Sequence, residues 1–474
     1  MDRESFRRHG HELVEWIASY LDHPERYPVL SRAAPGDIAS ALPDRAPEDP
    51  ESFETIMADL ERVLVPGLTH WNHPAFFGYF ASSASPPGVL AEFLSAALNQ
   101  QAMLWRTSPA ATELETVALG WLRQLIGLPA AFEGVIYDTA SISSLHALVA
   151  AREAAVDQVR TQGLSGRKLP ALAVYCSEQA HSSIDKAVMT IGLGQNSLHK
   201  IPVDREFRLS VDHLAAAVAA DRRRGLLPIA VVATVGTTST TSVDPVGAIA
   251  DICAREGLWL HVDAAYAGVA AMLPSHAHVL DGVGSADSLV VNPHKWLFTP
   301  FDLSAFFCRR MDVVRAAFAL TPEYLKTPGA QPVRNLMDTG VQLGRRFRAL
   351  KLWMILRSFG ARAIRDTLSE HMRLAQQFAS WIDGHKDFER VAPVPFSVVC
   401  FRWRPEGVRL TDTDLDRLNE RLLEAVNGSG EVFLSHTRLG GRFVIRLAIG
   451  HFDTSERHVC RAWQLLQEHA MAEA

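Results

Sequence analysis

No stretch of this 474-residue chain approaches the roughly 20 consecutive apolar residues that a membrane-spanning helix needs, so a span is not expected. Cysteine is sparse. Cys176, Cys253, Cys308, Cys400 and Cys460 are odd in number and lack any CxxC spacing, which argues against both a disulfide framework and a metal site. They read as small buried hydrophobes in a reducing cytoplasm. Positive charge is not in excess, and a formal net charge of −6 offers no field for nucleic acid. The stretch GLGQNS at 192–197 begins like a dinucleotide fingerprint but lacks its third glycine and follows no strand pattern, which disfavours a nicotinamide enzyme. There is no internal repeat and no low-complexity tract. The opening MDRESFRRHGHELVEWIASYL is charged and amphipathic without a cleavable apolar core, so it does not read as a secretory signal.

What remains describes an ordered globular protein, with 48% hydrophobic and 21% charged residues. The length suits roughly three domains, or one large α/β domain with appendages. Apolar periodicity predicts helices over 12–21, 52–70, 88–104 and 109–127, the last opened by Ser108 as cap and Pro109 in the first turn. The Pro-rich segment 24–50 reads as an extended arm. From 134 on, short apolar runs (GVIYD, LAVYC, IAVVAT, LWLHVDA, SLVVN) alternate with helical stretches at 141–160, 181–191, 211–224 and 245–256. Buried strands alternating with helices predict an α/β fold with a mostly parallel sheet covered on both faces. Ligands on such sheets bind at the C-terminal ends of the strands. Beyond about 355, long helices with FSVVCFRW (396–403) and RFVIRLAI (442–449) predict a smaller α+β domain. The boundaries expected are 1–85 for an N-terminal helical arm, 86–355 for the large domain and 356–474 for the small one.

Two strand ends carry chemistry. Lys295 in VNPHKWLF (291–298) lies among apolar neighbours, where its amine is readily neutralised and able to condense with an aldehyde. A lone lysine there would otherwise be a snorkelling side chain. Asp263 in HVDAAYAG (261–268) ends a second strand. A lysine to hold an aldehyde and a carboxylate to keep a pyridine nitrogen protonated are what pyridoxal 5'-phosphate requires. The turn YDTASISS (137–144) offers helix N-terminal amides and the hydroxyls of Thr139 and Ser141 to a phosphate, or else is a plain N-cap.

Eight strings in order, HPAFFGYF (73–80), SPAATELE (108–115), EQAHSS (178–183), VATVGTT (232–238), HVDAAYAG, NPHKW (292–296), LGRRFRALKLW (343–353) and FVIRLAI (443–449), resemble the group II pyridoxal-phosphate-dependent decarboxylases, most of all the aromatic-L-amino-acid decarboxylases. The resemblance spans most of the chain. It implies fold type I (aspartate-aminotransferase-like), a homodimer with the N-terminal arm packed across the interface, and pyridoxal 5'-phosphate as cofactor. It further implies that Thr139, Ala140 and Ser141 hold the phosphate with help from Asn292 and His294. His181 would stack on the ring and contact the substrate carboxylate, with Ala265 on the opposite face and Thr234 hydrogen-bonding nearby. Tyr324, in the loop LTPEYLKTPGAQPV (320–333), would return a proton to the substrate carbon. The substrate pocket would draw on Trp71, Tyr79, Phe80, Ser82, Gln101, Met103, His181, Gly344 and Arg446.

The chain also departs from the family pattern. Asp138 stands where a glycine is common and Ile142 where an acid is common; a carboxylate repels phosphate, so the Asp138 side chain is expected to turn away. Ala81, Ser82, Gln101 and Met103 give a less aromatic pocket than usual. Gly344 matches the residue that accompanies indolic substrates in plant relatives. Aldehyde-forming relatives replace the tyrosine or the stacking histidine, and this chain keeps both, which favours simple decarboxylation to an amine. The alternatives are an aldehyde synthase, a decarboxylase of a non-aromatic amino acid, and a non-catalytic cofactor-binding protein. The last would be expected to lose Lys295, Asp263 or Tyr324, and none is lost.

Overall fold

The structure is a computed structural model and describes residues 1–320 and 333–473. The chain forms two compact units, one comprising Met1–Ala81, Gln377–Val391 and the chain from Phe401 on, the other Ser82–Gln376 and Ala392–Cys400.

The larger unit is built on a seven-stranded sheet. Its order is Glu133–Tyr137, Ser304–Cys308, Ser288–Val291, Trp259–Asp263, Leu227–Thr234, Leu172–Ser177 and Leu198–Ile201. Ser304–Cys308 runs antiparallel to both neighbours, and the other pairings of this sheet are parallel. The central strands are Val- and Ala-rich and fully buried, Val231 and Val232 among them, because helices cover both faces and leave no wet side to alternate with. Helix Ala140–Ala155 packs Ala147, Leu148 and Ala151 onto the sheet beside Val174 and Phe306. Truncating Leu148 to alanine would cost about 2–5 kcal/mol.

The five apolar runs read as strands are strands. Two more were not anticipated: Ser304–Cys308, and the edge strand Leu198–Ile201, whose adjacent polar residues His199 and Lys200 suit its position. The helix expected over 88–104 is Pro86–Leu98, stopped by Asn99 in the left-handed conformation (φ 45°), so Gln101 and Met103 lie in the turn beyond it. Ser108 occupies the cap position of helix Pro109–Leu125, yet its hydroxyl donates to Gln100 Oε1 (3.1 Å) and not to its own helix.

The smaller unit carries a five-stranded sheet ordered Phe76–Phe77, Phe433–Leu439, Arg442–Ala448, Val398–Trp403, Phe388–Arg390. Its helices include Arg3–Asp22, Glu456–Glu473 and Asp412–Gly428, the last opened by a reciprocal cap between Thr411 and Asp414. The segment 24–50 holds only a short turn at Pro24–Arg26 and a four-residue helix at Asp37–Ser40. No helix among the described residues is long and apolar enough to cross a membrane.

Candidate functional site

Three neighbouring parallel strands end side by side. Thr234 pairs with Asp263, and Asp263 with Val290. The ladder continues past the strands: the Val235 amide donates to Asp263 O (2.9 Å), Ala264 to Val290 O (3.0 Å), and Asn292 to Ala265 O (3.0 Å). The chain then makes one helical turn, Pro293–Trp296, which presents Lys295 from the same edge. Trp296 anchors that turn. Its ring is fully buried, stacks on Tyr266 with centroids 4.8 Å apart, and donates Nε1–H to His371 Nδ1 (3.0 Å). Two glycines let the turns pack closely. Gly236 has φ +88°, and a Cβ there would lie 2.6 Å from the Ala267 methyl; one on Gly268 would lie 2.7 Å from Val291 Cγ2. Their place in VATVGTT and HVDAAYAG is therefore steric.

Asp263 is buried, and its Oδ1 accepts the Ala265 amide (3.1 Å), which fixes the carboxylate at the strand end. His181 lies after strand Leu172–Ser177 and before helix Ser183–Thr190 and is exposed in the single chain. Its Nδ1 accepts the Ser183 amide (3.1 Å), so the neutral ring carries its proton on Nε2. Partial burial lowers the His181 pKa below the ordinary imidazole range; the Asp263 charge opposes this and Lys295 adds to it. His294 is likewise fixed by the Leu303 amide donating to Nδ1 (2.9 Å), and burial brings its pKa down to about 3.

Two buried atoms at these strand ends, Thr234 Oγ1 and Asn292 Oδ1, have no hydrogen-bond partner among the described residues. Orphaned buried polar atoms are costly in a folded chain unless something supplies their partners. A hydroxyl and an amide oxygen left in this state fit a polar ligand that supplies their hydrogen-bond partners.

The turn at Thr139 opens the 16-residue helix Ala140–Ala155, and the Thr139 hydroxyl makes no capping bond within it. Asp138 does not turn away as expected. Its Oδ1 accepts the Thr139 amide (2.6 Å) and hydroxyl (3.2 Å), and its Oδ2 accepts Gln342 Nε2 (3.3 Å). The physical reason is the helix N-terminus, whose unsatisfied N–H groups attract the nearest anion. The helix is held beneath by Ser144 Oγ, 3.1 Å from His261 Nε2, whose Nδ1 meets Ser288 Oγ at 2.9 Å.

Around Gln101 the structure shows an arrangement that motif reading missed. Gln101 Oε1 accepts the Arg345 amide (2.5 Å), and a Cβ on Gly344 would sit 3.1 Å from Gln101 Nε2. Arg345 is itself paired with Glu115, and Glu115 Oε1 accepts the Ile136 amide (2.8 Å). The signal was present as opposite charges in SPAATELE and LGRRFR. Met103 O accepts the Met337 amide (3.1 Å), and Ser82 Oγ is another buried atom without a partner. Tyr324 lies outside the described residues.

In the smaller unit, Trp71 stacks on Tyr79 with centroids 5.6 Å apart, and both rings are largely exposed. Arg446 is buried; its Nη1 donates to Tyr79 O (2.7 Å), and its guanidinium lies 4.8 Å from the Phe80 ring centroid. It thereby holds Tyr79 in a left-handed conformation (φ 50°). Trp71, Tyr79, Phe80 and Arg446 thus form one cluster.

Residues 35–404 match the pyridoxal-dependent decarboxylase conserved domain. The chain is 39% identical to a tyrosine decarboxylase of Papaver somniferum over 100% of its own length and 96% of the relative's. It is 38% identical to a phenylacetaldehyde synthase of a Rosa hybrid cultivar, covering 100% of this chain and 95% of that protein. A crystal structure of Oryza sativa TDC with PLP and tryptamine superposes with a TM-score of 0.96 at 38% identity, covering 100% of this chain and 99% of that one.

Proposed function

Because the chain belongs to the pyridoxal-dependent decarboxylase family, we propose that it converts an aromatic L-amino acid to its amine and carbon dioxide at the strand-end site of the larger unit. The observation that carries this is the in-register run Thr234, Asp263, Val290, which puts Asp263 and Lys295 on one sheet edge beside two orphaned buried polar atoms. Lys295 would hold the cofactor aldehyde and Asp263 its ring nitrogen. Thr139, Ala140 and Ser141 would hold its phosphate with Asn292 and His294, while Ala265, Thr234 and His181 would line the ring. When bound, pyridoxal phosphate supplies the electron sink that makes loss of a carboxylate from the α-carbon feasible.

The remaining work falls to side chains. His181 enters the reaction neutral, with its proton on Nε2 available to a carboxylate or to a donor relay. Tyr324 is assigned the proton delivered to the α-carbon. Trp71, Tyr79, Phe80, Ser82, Gln101, Met103, Gly344 and Arg446 are assigned to substrate selection. Trp71 and Tyr79 form a stacked aromatic pair suited to a flat side chain. Gln101, read separately, is an amide that a phenyl pocket would not need. The protein is read as a cytoplasmic homodimer. Exposed apolar side chains at Leu90, Phe93, Leu94 and Leu98 on helix Pro86–Leu98, a stripe at helical spacing, support a partner surface.

The test is mass-spectrometric product analysis with pyridoxal phosphate and indolic, phenolic, phenyl, imidazole and acidic L-amino acids. An amine from an aromatic member is expected. Aldehyde as the main product, as the name of the Rosa phenylacetaldehyde synthase describes, would replace the amine reading, and turnover of a non-aromatic member alone would replace the substrate class.

A further inference from the structure

We propose that Asp138 sets how tightly this protein holds the phosphate of its cofactor, by competing with that phosphate for the donors that open helix Ala140–Ala155. The proposal rests on the phosphate assignment just made, and it concerns a residue peculiar to this chain's turn.

The geometry is that of a built-in competitor. The Thr139 amide and hydroxyl both donate to Asp138 Oδ1, at 2.6 and 3.2 Å. These are donors that the start of a 16-residue helix offers to an anion. The carboxylate belongs to the adjacent residue, so it occupies them without the translational entropy cost that a free phosphate meets on arrival. A phosphate settling on the same turn must take those donors from Asp138 and then lie close to a like charge in a half-buried setting, where screening is incomplete.

A displaced carboxylate has a second donor within reach. Asp138 Oδ2 already accepts Gln342 Nε2 at 3.3 Å, so the side chain has a second donor outside the turn. Gln342 lies two residues before Gly344, in the segment that carries Arg345 onto Gln101. Phosphate binding is therefore paired with a shift of the Asp138 carboxylate from Thr139 toward Gln342. Pyridoxal, which lacks the phosphate, does not compete for these donors. The effect is specific to the phosphate.

The experiment compares full-length wild type, Asp138→Asn and Asp138→Gly after removal of the cofactor. Each is titrated with pyridoxal phosphate and, separately, with pyridoxal, and binding is followed by visible absorbance and quenching of protein fluorescence. Both variants should bind pyridoxal phosphate about 10-fold or more tightly than wild type, while pyridoxal affinity stays within about twofold. Using two variants guards against one of them failing to fold. Unchanged or weaker affinity for pyridoxal phosphate in both variants overturns the proposal. Equal changes for both ligands overturn it too, because Asp138 would then act on the whole turn and not on the phosphate. If no form takes up either ligand, the cofactor reading itself fails, an outcome distinct from normal uptake with equal affinities.

Discussion

Arg345 reaches across the larger unit to bind both oxygens of Glu115, at 2.9 and 3.2 Å, with 6% and 2% of the two side chains exposed. The same guanidinium donates to Ile136 O (2.6 Å) and Ala102 O (3.3 Å), so one ion pair ties together the helix Pro109–Leu125, the strand Glu133–Tyr137 and the turn carrying Gln101. Removing one partner strands the other charge in a dry setting. Glu115→Gln or Arg345→Met should each destabilise the protein by about 3–5 kcal/mol in denaturant titrations, and the double variant should recover part of that loss. If the single changes cost under about 1 kcal/mol, the pair is not the clamp described.

Lys295→Ala should lower turnover below about a thousandth of wild type and abolish borohydride trapping of the cofactor on the protein. Lys351 is the control. It is buried and committed to Glu92 (2.6 Å) and to the carbonyls of Pro300 and Asp302. Lys351→Met should lower stability and leave the trapped peptide unchanged. Label on any peptide lacking Lys295 refutes the assignment.

Tyr324→Phe should shift the product from amine toward aldehyde, measured by mass spectrometry of both products in the same reaction. A variant that still makes only amine at the normal rate removes Tyr324 from the proton-delivery role.

Stability should fall in mild acid for a reason visible inside the larger unit. Burial holds the pKa of His146 at about 3, His261 at about 4 and His294 at about 3, all below the ordinary 6.5. Between pH 6.5 and those values the unfolded chain binds protons that the folded one refuses. Stability therefore rises with pH across that window and is lost as pH falls through it, at about 1.4 kcal/mol per pH unit for each such histidine. Asp244 opposes them. Burial raises its carboxyl from 3.8 to about 7, so its contribution is present at low pH and is lost as pH rises toward 7. These three histidines together outweigh the Asp244 carboxyl and favour a net loss on acidification. His146→Leu should flatten the pH 4–6 slope of the unfolding free energy by about 1.4 kcal/mol per unit, whatever its effect at pH 8. An unchanged slope would falsify the assignment of that proton to His146.

The lysine and aspartate strands were legible because each ends a continuous apolar run, and strand ends are where such sheets place chemistry. Ser304–Cys308 was not, although SAFFC is apolar throughout: its role depends on pairing with Glu133–Tyr137, and no local pattern records a partner so far away. Phe76 and Phe77, quoted only as part of HPAFFGYF, form a buried strand whose partners are Phe433 and Leu434, a pairing no local pattern records. Asp138 misled for a different reason. Sequence reasoning weighed its repulsion for a phosphate, whereas in the folded chain its nearest neighbours are the Thr139 donors. Arg345 and Glu115 were quoted in their motifs without being paired, because only the fold brings them together.

The edge position of Glu133–Tyr137 bears on how the protein is made. This strand leads straight into Asp138 and Thr139, and its one sheet neighbour is Ser304–Cys308, emerging from the ribosome some 170 residues later. Lys295 has been synthesised by then, but the turn at Thr139 has had no partner strand throughout. Closing so long a loop is slow before it is rewarded. A nascent chain should therefore acquire its lysine and aspartate strand ends before the turn at Thr139 is secured, and chains halted before residue 304 should leave that turn without its partner strand.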